Sequence, residues 1–431
     1  MGAPTAGHLK RRQIQRQGVA QGDLFFLAIH TDGDLFHPIA NTFRSFPCLT
    51  MALPGTLMVY SRRVPTLKQQ SETGNSPMKK TDLASLVRRH RLLDTAITPR
   101  RDQFLSDWNC ENPFFDRLLG PKLLDLATER QSGGYIYFDD DRSILQSICD
   151  FHLRCEGLKF SRSSVIAGPG SSSFLAVFSL WLRKTGITDI CYLPPLYHTF
   201  HFLLDTLDIS VRPVSQKHAF EAGCTLELPF RRTALLLCDP IWYAGKPVPD
   251  EHIGVIADWQ RKTGSIVFVD GSFQYMKWAG NQGENTALFD PELTFRLICP
   301  AKALAIPFYR FAYLLHPEAA HADLLFLYES VIGGASVADL TFAHRALQVL
   351  GGDADSRLMP DYFRTIYLQL LERKLISTRI VPECGYFVFA VPSTRPPDEI
   401  VMDQSYFELE GYPDHCRVNL MAARRIYLLP F

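Results

Sequence analysis

From Thr81 onward the chain alternates two kinds of apolar pattern. The segments DLASLVRRHRLL, SILQSICDFHLRCEG and DEHIGVIADWQRKTG read as helices; the second spaces its apolar residues three and four apart and ends at Gly157. SSSFLAVFSLWLRKTG predicts another helix, opening directly after the turn Gly168-Pro169-Gly170. Between these stand DICYLP, TALLLCDP and SIVFVDG, short continuous apolar runs of the length of buried strands. Such strands alternating with helices of a dozen residues imply β-α-β units and a largely parallel sheet, an α/β fold. After about residue 330 the pattern changes to helices followed by ISTRIVPE, GYFVFAVP and CRVNL, which read as antiparallel strands. The expected division is a large α/β domain with its N-terminal arm over 81–330 and a smaller α+β domain over 331–431.

Residues 1–80 are expected to form a poorly ordered basic extension with one strand-like patch, LFFLAI. They carry ten Lys/Arg against four Asp/Glu, and the polar stretch QQSETGNSPMKK precedes Thr81. The whole chain of 431 residues is 46% hydrophobic and 21% charged, ordinary for a globular protein with substantial cores. Its formal net charge of +0 gives no general electrostatic case for nucleic acid or an anionic membrane as partner, so a small molecule is expected. Ten scattered cysteines without a C-x-x-C pair suggest neither a zinc site nor a disulfide framework, and reduced thiols fit a cytoplasmic protein. No apolar run reaches the roughly 18–20 residues that cross a bilayer, and the start of the chain has no signal-peptide core.

The candidate chemistry centres on CPAKALAIPFYRFAYLL, where Arg310 follows Lys302 by eight residues. A lysine in so apolar a run is poorly solvated, and it can condense with an aldehyde as a Schiff base while the arginine clamps a phosphate. Gly170, Ser171, Ser172 and Ser173 open a helix, where free N–H groups and hydroxyls make an anion cradle. Asp270 ends SIVFVD, placing a carboxylate at the carboxyl edge of a strand, where open α/β sheets bind ligands. There it can keep a pyridine nitrogen protonated. Tyr197, in PPLYHTF, offers a ring to stack on a planar cofactor, and Arg417, in HCRVNL, offers a guanidinium fork to a carboxylate.

In this order over residues 105–425, these positions resemble the pyridoxal-phosphate enzymes of fold type I, class I/II aminotransferase group. That family's S-x-S-K-x7-R block corresponds to Cys299, Ala301, Lys302 and Arg310, and its phosphate turn to Gly170, Ser171 and Ser172. Glu111-Asn112-Pro113 matches its N-terminal substrate segment. The resemblance implies a fold-type I architecture and pyridoxal 5'-phosphate as cofactor. It implies Lys302, Asp270 and Tyr197 as the catalytic set, and Arg417 with Asn112 as contacts to an amino-acid substrate. It also implies a homodimer, with the segment around Tyr137 lent to the neighbouring subunit.

Two departures bear on the cofactor's phenolic oxygen. The family's N-P-x-N-P-T-G is here Asp239-Pro240-Ile241-Trp242-Tyr243-Ala244-Gly245, so Trp242 replaces the asparagine that donates to that oxygen. Phe273 replaces the tyrosine expected three residues after Asp270. Both donors are expected to be lost, with Tyr243 and Tyr275 as substitutes by position. Amino transfer is the first expectation; elimination, cyclisation or oxidation in specialised biosynthesis is the alternative. A cofactor-binding regulator is a third reading, but residues 1–80 show no helix-turn-helix pattern.

Overall fold

The computed structural model describes residues 104–120, 142–280, 283–334, 336–352 and 354–429. The basic extension, the helix expected at DLASLVRRHRLL and the segment around Tyr137 lie outside the described residues. Seven strands form the central sheet: β1 Val165–Gly168, β2 Asp189–Tyr192, β3 Ser210–Pro213, β4 Ala234–Cys238, β5 Ile266–Gly271, β6 Thr294–Ile298 and β7 Ala312–Leu315. Their spatial order is β1-β7-β6-β5-β4-β2-β3. Strands β2 to β6 pair in parallel, and β7 runs antiparallel to both β1 and β6. The runs read as strands in the sequence are β2, β4 and β5, and β4 is buried at every position, as a strand covered on both faces must be.

The two faces of the sheet differ in chemistry because side chains alternate along each strand. Phe268 and Phe295 are register partners on β5 and β6, and both meet helix α2, Ser171–Lys184, numbered after α1, Arg142–Glu156. Phe178 of α2 lies 4.3 Å from Phe268 and 4.9 Å from Phe295, ring to ring. One residue along, Val269 pairs with Arg296, whose guanidinium points to the opposite face. There it donates to both carboxylate oxygens of Glu156 at 2.9 and 2.8 Å and to Gln274 Oε1 at 3.0 Å. Burial alone would raise the Glu156 pKa, but Arg296 and His152 outweigh it and hold the carboxyl below the usual carboxylate range.

Further helices are α3 His198–Thr206, α4 Asp250–Thr263, α5 Pro300–Ala303, α6 His321–Val331, α7 Val337–Leu350, α8 Asp355–Glu372 and α9 Leu420–Ile426. Helix α4 has Asp250 and Glu251 in its first turn and Arg261 and Lys262 in its last, matching its dipole, and stops at Gly264 in the left-handed conformation. The C-terminal strands form a separate antiparallel sheet in the order β10-β9-β8: Cys416–Asn419, Phe387–Pro392 and Ile376–Ser377. Only the first two residues of ISTRIVPE pair as strand. Gly245 is required where this part meets the loop after β4. Its φ is 63°, and a Cβ there would stand 2.6 Å from the Cys384 carbonyl oxygen and 2.8 Å from that of Phe387.

Candidate active site

The loops that leave the carboxyl ends of β1, β2, β4 and β6 carry Gly170, Tyr197, Trp242 and Lys302, Asp270 is the penultimate residue of β5, and Arg310 stands two residues before antiparallel β7. Six positions scattered over 140 residues of chain are thereby delivered to one edge of the sheet. Lys302 sits in the single turn α5, its N–H bonded to the Cys299 carbonyl at 2.9 Å. It is half-buried, its ammonium lies 4.8 Å from the Phe273 ring centre, and it pairs with no carboxylate among the described residues. Asp270 is half-buried at the end of β5, and Oδ1 accepts the Ser272 N–H at 3.1 Å.

Buried Cys238 marks how close these groups come. Burial pushes its thiol well up, Asp270 pushes it further, and Lys302 together with the Tyr197 N–H pulls it back. The Cys299 thiol is likewise raised by burial and opposed by Lys302 and Arg310; its sulfur lies 3.4 Å from the Phe311 carbonyl oxygen. Tyr197 precedes α3 and sets its ring edge-on to Trp242 at 6.1 Å.

The turn before α2 is built for an anion. Gly170 has φ 88°, and a Cβ on it would stand 2.8 Å from Arg310 Nη2 and 3.1 Å from Cζ. The guanidinium therefore lies directly against a glycine-only turn, with no carboxylate partner among the described residues. Ser171 is buried, Ser172 exposed, and Ser173 Oγ bonds back to the Pro169 carbonyl at 3.3 Å. A cation, a helix N-terminus of 14 residues and two hydroxyls converge there, which fits a phosphate group.

Arg417 on β10 is 0% exposed. Its Nη2 donates to the Ser106 carbonyl at 2.5 Å, whereas Nε and Nη1 have no partner among the described residues. The guanidinium carbon is 3.8 Å from the Trp108 ring centre, 4.3 Å from Phe387 and 5.2 Å from Trp242. Burial pulls its pKa down to about 9. It is a cation in an aromatic box with nitrogens to spare, the arrangement that receives a carboxylate.

The segment Leu105–Asn109 makes this box. Asn419 N donates to the Leu105 carbonyl at 2.7 Å and Asn419 Nδ2 to the Asp107 carbonyl at 2.6 Å, so the segment is strapped along β10 and delivers Trp108 onto Arg417. Trp108 and Phe387 were not identifiable as site residues from the sequence: Trp108 stands between Asp107 and Asn109 in a segment without periodicity, and Phe387 is part of an apolar run that any core would explain. Asn112 turns to the chain itself, donating to the Leu304 carbonyl at 2.7 Å and accepting from the Phe114 N–H at 2.7 Å. It braces the turn that carries Lys302.

Phe273 is buried and stacks on Trp242, ring centres 6.4 Å apart. Tyr243 bonds through its hydroxyl to His218 Nδ1 at 2.9 Å, and the Tyr275 hydroxyl to Glu156 at 2.9 Å on the ionic face of the sheet. Neither hydroxyl therefore replaces the missing donors. Trp242, counted from sequence as a lost donor, is different: its buried Nε1 has no partner among the described residues.

The architecture matches solved enzymes. It superposes on a probable N-succinyldiaminopimelate aminotransferase from Thermus thermophilus with a TM-score of 0.62 at 17% identity, over 78% of this chain and 99% of that one. The fold is that of the fold-type I aminotransferases. N-Succinyldiaminopimelate aminotransferase from Mycobacterium tuberculosis gives 0.61 at 15% identity, over 82% and 98%. An Escherichia coli protein with a methionine aminotransferase function gives 0.60 at 14%, over 83% and 100%. No protein-family model matches the sequence, and no curated protein matches it. Likeness at these identities carries the fold, and the function has to be argued from the site.

Proposed function

We propose that the protein is a pyridoxal-phosphate-dependent enzyme acting at the α-carbon of an amino acid, and that its reaction is amino transfer. The observation that carries this is Lys302: an amine without a carboxylate partner among the described residues, at the carboxyl end of β6, at the same sheet edge as Asp270 and the Arg310–Gly170 cradle. Bound pyridoxal phosphate supplies an aldehyde that captures amines and a protonated ring that withdraws electrons from the substrate's α-carbon. Arg310, the backbone N–H groups after Gly170 and the hydroxyls of Ser171 and Ser172 would hold the phosphate. Asp270 would accept the hydrogen bond of the ring nitrogen and keep its proton in place. Tyr197 would offer its ring to stack on the pyridine, and Cys299 lies buried at the start of the turn that carries Lys302. The amine of Lys302 removes and returns the proton at the α-carbon. Arg417 fixes the substrate carboxylate, and Trp108, Trp242, Phe273 and Phe387 exclude water from it.

The active assembly is proposed as a homodimer, since closed two-fold pairs are the commonest assembly of such enzymes; light scattering at the mass of one 48.9 kDa chain would contradict it. A cytoplasmic setting accords with the nine cysteines of the described residues, all of which are free. No helix among the described residues is long and apolar enough to cross a membrane.

The activity is tested by incubating the purified protein with a panel of amino acids, with and without a keto acid, and reading products by mass spectrometry. Amino transfer predicts a new amino acid and a new keto acid only when both partners are supplied. Loss of a side-chain fragment, ring closure or oxidation without a keto acid would assign the site to elimination, cyclisation or oxidation instead. No turnover of any amino acid would contradict the enzyme reading.

A further inference from the structure

We propose that the indole N–H of Trp242 is a carboxylate-binding donor that works beside Arg417; this rests on the reading of Arg417 as the substrate's carboxylate site. Trp242 is 8% exposed, and its Nε1 is buried without a partner among the described residues. A buried N–H left unpaired costs free energy, and this chain avoids the cost at comparable positions. Trp259 donates to the Pro229 carbonyl at 2.6 Å, and Trp278 to the Gly385 carbonyl at 2.9 Å.

The unpaired indole is not isolated. Two of the three nitrogens of Arg417, Nε and Nη1, are also buried and unpartnered among the described residues, and its guanidinium carbon lies 5.2 Å from the Trp242 ring centre. Three buried donors therefore belong to two residues that pack against each other, with Trp108 and Phe387 beside them. An anion entering the box around Arg417 loses its water, so each N–H directed at it gains strength. Arg417 cannot accept hydrogen bonds, and neither can an indole N–H, so the two cannot satisfy each other. The ligand that satisfies both is one with acceptor oxygens and a negative charge: a carboxylate. A neutral donor beside the guanidinium adds direction without placing a second cation against the first. Its fixed ring, packed on Phe273 and Phe407, sets the carboxylate's orientation in the box.

The test uses the full-length protein as purified, titrated with 3-phenylpropionate and with its neutral amide, 3-phenylpropionamide. Calorimetry reads affinity, and nitrogen-15 spectra read the five tryptophan indoles. W242F identifies the Trp242 signal by its absence; if that variant does not fold, W108F, W181F, W259F and W278F identify it by elimination. The proposal predicts that this signal moves downfield with the carboxylate and not with the amide. It predicts that W242F binds the carboxylate about tenfold or more weakly, the worth of one hydrogen bond to a charged group. An unmoved signal, together with unchanged affinity in W242F, overturns the role of the indole. If R417M abolishes binding in that case, the reading of Arg417 stands. A signal that moves only when pyridoxal phosphate is added also overturns the proposal, because the donor then serves the cofactor. Wild-type binding retained in R417M, or no binding by the wild type, overturns the carboxylate site itself.

Discussion

Arg417 shows most plainly what one residue does here. A lysine could keep the charge, but its ammonium has no plane to lie against Trp108 and no fork to meet two oxygens. R417K is therefore predicted to lower kcat/KM for the amino acid by roughly ten- to a thousandfold, at about 1.4 kcal/mol per decade, while leaving cofactor binding intact. Steady-state kinetics with a cofactor titration checks both halves, and unchanged kinetics would remove Arg417 from the site. Arg417 was legible as a candidate because a lone arginine in an apolar strand calls for a partner. Its enclosure by Trp108 was not, since 309 residues separate them and no local pattern couples the two. The sequence likewise ranks Trp242 as a lost amide; only its burial without a hydrogen-bond partner among the described residues shows that an indole N–H stands ready in the site.

Among elements, the strap Leu105–Asn109 and strand β10 behave as one unit, and Asn419 is the joint. Its Oδ1 accepts the Met421 N–H at 2.9 Å and caps α9, while Nδ2 donates to the carbonyls of Asp107 and Asn109 at 2.6 and 3.1 Å. N419A removes a cap worth about 1 kcal/mol and leaves the buried Asp107 carbonyl unpaired at about 1–3 kcal/mol. The expected loss in denaturant unfolding is thus about 2–4 kcal/mol, accompanied by weaker substrate binding as Trp108 loosens from Arg417. A change below about 0.5 kcal/mol, the range of ordinary surface substitutions, would show that the strap is held by other contacts. Three strands of the large sheet, β2, β4 and β5, were legible because their apolar runs are unbroken, whereas β1, β3, β6 and β7 were not read as strands. The strap was not legible: LSDWNCENPFF has no period, and its backbone hydrogen bonds go to a strand at the far end of the sequence.

Across the whole molecule, the sheet divides an aromatic face from an ionic one, and the ionic one makes stability depend on pH. Glu284 accepts the Tyr275 N–H at 2.7 Å and lies 3.4 Å from Lys277, yet burial pushes its carboxyl up to about 7 against an ordinary 4.5. The folded state then binds a proton that the unfolded state has released, so this group lowers stability as pH rises from about 4.5 to 7. E284Q, which cannot titrate, should gain on the wild type across that window by about 3 kcal/mol and hold the gain above it. Thermal unfolding at several pH values checks this, and a gap that stays constant would contradict it. The parallel sheet was legible as a class; its strand order, with β7 reversed between β1 and β6, was not, because pairing between distant strands leaves no mark on either one. That order brings Lys302, Asp270, Arg310 and Gly170 to one edge, and the central claim is that Lys302 there binds pyridoxal phosphate covalently. The most direct measurement is borohydride reduction of the purified protein incubated with pyridoxal phosphate, followed by peptide mapping. The cofactor's mass on the peptide containing Lys302, absent from K302A, is the predicted result; a protein that stays colourless and unlabelled, or a label on another lysine, would contradict the account.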